Sequence, residues 1–172
     1  MKKVATSIML CFCLVAFACT QNQLQTAENL TQAIIQDIPA ILEILAGAGV
    51  LAQPALGQAQ AAAGEASSDF SLVEGLISDF QKNPSPTTAA KIRTALADAQ
   101  THLQAVMAAA HVKNPQTQAT ITGALTLIIN TANQIAAIFP MTPAGAAVKA
   151  ANNVRLPSVP QFNSEMKKYL GK

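Results

Sequence analysis

Between residues 85 and 139 the apolar positions recur at alternating spacings of three and four. Ala89, Ile92, Leu96, Ala99, Leu103, Val106 and Ala110 form one series, and Ile121, Leu125, Ile128, Ala132, Ile135 and Phe139 form another. At 3.6 residues per turn, this spacing lays one apolar seam along one side of each helix, as in bundles and coiled coils. Both starts carry capping chemistry. Ser85-Pro86 and Asn114-Pro115 each offer a side-chain oxygen at N-cap and a proline at the first helical position, where a missing N–H costs nothing. The short link His111–Asn114 predicts that the two helices return antiparallel, as a hairpin. Lys82-Asn83-Pro84 recurs as Lys113-Asn114-Pro115, an echo too loose in register to make a repeat.

The flanking segments extend the pattern. Leu30, Ile34, Ile38, Ile41, Leu42 and Leu45 predict a first helix, beginning after a polar tether over 19–26. Pro39 should kink it or split it, and Gly47-Ala48-Gly49 reads as its C-cap rather than a phosphate loop. A second helix opens at Pro54 or Ala55 and runs to about Lys82, with Ala59, Ala63, Ala66, Phe70, Val73, Ile77 and Phe80 as its seam. Gly57, Gly64 and Gly75 interrupt it, each costing about 1 kcal/mol against alanine, which suggests close helix approach or a bend. Beyond Phe139, prolines 140, 143, 157 and 160 punctuate the chain. A short helix over 142–151, an extended piece over 154–159 and a last amphipathic turn or two bearing Phe162, Met166, Tyr169 and Leu170 are expected there. The fold class is all-α: an antiparallel bundle of about four helices over 27–139, followed by a flexible, basic, proline-containing tail over 140–172.

Composition narrows the function. At 172 residues one domain suffices and can bury about two-thirds of its unfolded surface. Apolar residues make up 51% and charged ones 12%, so polarity rests on Gln, Asn, Thr and Ser. With no Trp and one Tyr, an aromatic-lined sugar or base-stacking site is disfavoured. Setting aside Lys2 and Lys3 leaves nine basic residues (11 − 2) against nine acidic ones. A near-neutral chain of this kind does not suit general nucleic-acid binding.

Those two lysines precede the apolar run Val4–Phe17, which is short for a bilayer span and reads, with 1–18 as a whole, as a secretory signal. Ala16-Phe17-Ala18 fits ordinary signal peptidase. Ala18-Cys19 also resembles the end of the lipobox of bacterial lipoproteins, although Ala16 and the bulky Phe17 depart from that pattern. Cys11 and Cys13 leave with the signal, so Cys19 becomes a lone thiol at the new N-terminus, unable to form an internal disulfide. The resemblance implies lipidation of Cys19, with the membrane as partner through the acyl chains. Thr20, rather than an acidic residue, resembles an outer-membrane address in lipoproteins of the enterobacterial type. Tyr169-Leu170-Gly171-Lys172 is similar in kind to the terminus of peptidoglycan-linked murein lipoproteins, which would make Lys172 an attachment point.

Candidate chemistry is sparse. Asp98 and His102 lie four apart on one helix, the spacing of a carboxylate-oriented general base or of an ordinary exposed pair. His111 falls on the opposite face and cannot join His102 in a metal pair. Glu65 and Asp69 share a face of the second helix, yet no Glu-x-x-His motif accompanies them, so they read as a solvated acidic face. No metal, cofactor or enzymatic activity is expected. Residues 114–148 carry no charge, and Ala119–Phe139 is long enough to cross a bilayer. Two readings follow: an exported, lipid-anchored envelope protein with a structural or protein-interaction role, including self-association, or a membrane-active protein inserting the 114–148 region.

Overall fold

The computed structural model describes the backbone of residues 2–48, 53–110, 112–139 and 154–171, and the side chains of those from 21 onward other than residue 53. The chain is all-helical over these residues. Its elements are α1 (Lys2–Gly47), α2 (Gln53–Lys82), α3 (Pro86–Ala109), α4 (Pro115–Ala137) and α5 (Val159–Leu170). Helix α2 packs most extensively on α3, α1 packs on α2, and α4 packs on both α3 and α1. The seams meet in one core. Every residue of the α3 and α4 series is buried, as are Ala59, Ala63, Ala66, Phe70, Val73 and Ile77 of α2 and Leu30, Ile34, Ile38, Ile41 and Leu45 of α1. Phe80, at the end of the α2 seam, is half-buried and meets Phe139 edge to face, with centroids 5.4 Å apart.

The caps act as the sequence implies. Ser85 accepts a hydrogen bond from the Thr88 amide, and Asn114 accepts from the amides of Gln116 and Thr117. Gln118 reaches back to take the Val112 amide at 2.9 Å, which tightens the link between α3 and α4. Buried Thr31 and Thr131 each satisfy their hydroxyl on a carbonyl four residues back in their own helix. Leu127 and Ile129, off the α4 seam, pack partly buried against the core because α4 touches α1, α3 and α5.

Four expectations are corrected. Of the two outcomes expected at Pro39, splitting does not occur, and α1 continues through it. Ile38, Ala40 and Ile41 around it are buried, and that packing holds the helix across the missing donor. Residues 21–26 of the expected tether are helical, and Leu24 is already buried. Of the two roles expected of Gly57, Gly64 and Gly75, close approach does not hold, for a Cβ at each would meet nothing within 4 Å. The close approach lies at Gly123, where a Cβ would stand 2.3 Å from Cε1 of Tyr169. Finally, the tail is not loose over 159–170. It forms α5, seated on α1 and α4, with Phe162 and Met166 buried. Their four-residue spacing puts both on one face, and Tyr169 three residues on lays its ring on the bare backbone of Gly123. The expected short helix over 142–151 lies outside the described residues.

Candidate functional site

Among the described residues, Glu65, Asp69 and His102 converge across two helices. The two carboxylates stand one turn apart on α2, and the α2–α3 seam brings His102 up beside them. Nδ1 of the imidazole lies 2.8 Å from Oδ2 of Asp69, and Nε2 lies 3.2 Å from Oε2 of Glu65. The His102 side chain is 31% exposed, Asp69 22% and Glu65 63%, so the cluster sits at the rim of the seam with one side open to water. A ring nitrogen that carries hydrogen donates to the carboxylate it faces, and a carboxylate only accepts. The ring therefore ties α3 to α2 through whichever nitrogen carries hydrogen, to one carboxylate as the neutral imidazole and to both only as the imidazolium.

The imidazole is thus engaged with α2 rather than with Asp98. Asp98 is exposed, and no hydrogen bond or ion pair joins it to His102 among the described residues. Helical spacing makes the two residues neighbours. The rotation of α3 that buries Leu96, Ala99 and Leu103 turns the imidazole toward α2 instead. Glu65 and Asp69 are likewise more than a solvated face. The signal was present in the sequence as two carboxylates one turn apart and a histidine beside a seam, but their meeting depends on the register between helices. Among the described residues no group of three or more His, Cys, Asp or Glu is arranged to hold a metal ion.

The other candidates lie at the ends. Cys19 falls within α1, five residues before buried Leu24, and its side chain is outside the described residues, as is Lys172. Gly171 closes α5 in the left-handed conformation, φ 65°, with its amide on the Lys167 carbonyl. The uncharged 114–148 stretch is described to residue 139, and there its apolar seam is buried against neighbouring helices. Among the described residues one stretch, Gln21–Gly47, is long and apolar enough to cross a membrane. It is near the N-terminus, and its Leu30, Ile34, Ile38, Ile41 and Leu45 belong to the core.

Helices α1 and α5 line an open cleft of about 480 Å³. Its walls carry the amides of Asn29, Gln36 and Asn163 and the charges of Asp37 and Lys167, and Met166 contributes apolar surface. Comparison with protein-family models, with curated proteins and with solved structures gives no match.

Proposed function

We propose that this chain is an exported cell-envelope protein, held at a membrane by lipid on Cys19, whose helical body serves a structural or protein-interaction role. The observation that carries the reading is the placement of Cys19. It follows a charged and apolar leader directly and precedes by five residues Leu24, the first buried position among the described side chains. Two or three acyl chains there would anchor durably, each buried methylene contributing about 0.8 kcal/mol. The body itself is read as an antiparallel bundle. Gln81 bonds Glu28 while Gln32 bonds Glu74, so the partner number on α2 falls as the number on α1 rises. Arg93, near the start of α3, donates to the Phe139 carbonyl just past the end of α4.

The test is the intact mass of the mature protein from its native membrane fraction. The expected result is the mass of Cys19–Lys172 plus diacylglyceryl and acyl groups. An unmodified mass, or membrane retention that survives Cys19→Ala, overturns the anchor.

A further inference from the structure

Contacts between helices place a set of basic residues at the end of the body from which Cys19 leaves. Gln23 donates to the Val154 carbonyl at 3.2 Å, and Gln81 donates to Glu28 at 3.0 Å. Phe80 meets Phe139, and Arg93 donates to the Phe139 carbonyl at 3.3 Å. The last turn of α2, the first turns of α3, the end of α4 and the run into α5 therefore gather around the start of the packed part of α1. That end carries Lys82, Lys91, Arg93 and Arg155 against Glu28 and Asp79. Arg93 is half-buried and the other three bases are exposed, and among the described residues no ion pair neutralises any of the four. Beyond this end the sign reverses. The other seven of the chain's nine acids (9 − 2) lie there, against the described bases Lys113, Lys167 and Lys168. Cys19 precedes Gln23 by four residues, which puts it about 6 Å past the basic end along α1 at 1.5 Å per residue. Long lysine and arginine stems carry their charges outward to an interface at that level.

We propose that this basic end seats on a bilayer surface of anionic headgroups, standing the body end-on upon the membrane that its anchor holds. The inference rests on the anchor proposed above and adds the orientation of the body and the class of lipid beneath it. Each base brought to such a surface favours the seated state about fivefold. With Glu28 and Asp79 offsetting two of the four bases, a net two charges remain, while the acids beyond oppose lying flat. Surface charge acts within about 10 Å at 0.1 M salt. Lys167 lines the α1–α5 cleft with Asp37, about 20 Å along α1 from Gln23, and so takes no part.

The test couples the mature chain through Cys19, its sole thiol, to a maleimide lipid, so that the anchor is supplied whatever the cell does at that residue. The surfaces are vesicles of phosphatidylcholine alone and of phosphatidylcholine mixed with phosphatidylglycerol. Acylation of lysine amines by an N-hydroxysuccinimide ester is followed residue by residue with mass spectrometry. On the anionic vesicles Lys82 and Lys91 should react at least about fivefold more slowly than on the neutral ones, while Lys113 and Lys168 react alike on both. High salt should remove the difference. Lys91→Glu combined with Arg155→Glu should abolish the protection of Lys82 while far-UV circular dichroism stays helical, and Lys167→Glu should leave that protection intact. Equal rates at Lys82 and Lys91 on the two surfaces, equal slowing of Lys113 and Lys168, or protection of Lys82 indifferent to the double variant overturns the proposal. An unmodified Cys19 mass leaves this comparison unaffected, and a failed comparison leaves the mass unaffected, so the two readings fail separately.

Discussion

The imidazole of His102 reaches 2.8 Å to Asp69 and 3.2 Å to Glu65, and so joins two helices at a position where its own helix offers Asp98. The cluster is part-exposed, which limits each contact to about 0.2–1 kcal/mol. In urea unfolding, His102→Ala should lower stability by about 1 kcal/mol. A double-mutant cycle with Asp69→Ala should return a coupling of about 0.3–1 kcal/mol, whereas a cycle with Asp98→Ala should return none. Glycine behaves oppositely at two kinds of position. Gly64 and Gly75 are exposed and have empty space where a Cβ would go, so alanine there should stabilise by about 0.5–1 kcal/mol each, read as a rise in Tm. The sequence marks all these glycines alike. Which one has a neighbour depends on where α5 lies, and nothing local to Gly123 says that Tyr169 comes to rest on it.

At the scale of elements, the four seams were legible because burial follows period, and the caps because Ser85-Pro86 and Asn114-Pro115 are local chemistry. Helix α5 was harder to read, since prolines 157 and 160 suggest a broken tail. Its signals were nonetheless in place. Ser158 and Gln161 make a reciprocal capping box, Pro160 falls in the first turn where it is tolerated, and Gly171 supplies the left-handed end. Alone, a helix of 12 residues is marginal in water, so α5 depends on its seat. Phe162→Ala should therefore raise hydrogen exchange across 159–170 by at least tenfold while leaving the protected amides of α3 unchanged. Equal deprotection of both would show that α5 is part of a single cooperative unit.

For the molecule as a whole, alanine in the seams lets the helices approach closely, and the polar amide and hydroxyl side chains wet a surface with few charges. All-helical class follows from that pattern. The way the helices surround one another does not, because a seam names a face and leaves its partner open. Pro39 shows the same limit from the other side: local chemistry argues for a break, and the packing of Ile38, Ala40 and Ile41 outweighs it. Helix α1 has a further consequence for maturation. It runs unbroken from Lys2 to Gly47, so the bond before Cys19 lies inside a helix that Leu24 and Ala27 tie to the core. A peptidase cuts backbone that has opened, and the more stable the helix the rarer that opening. On the proposed reading, cleavage is faster before α1 docks than after, which makes maturation a race between the peptidase and the chain's own folding.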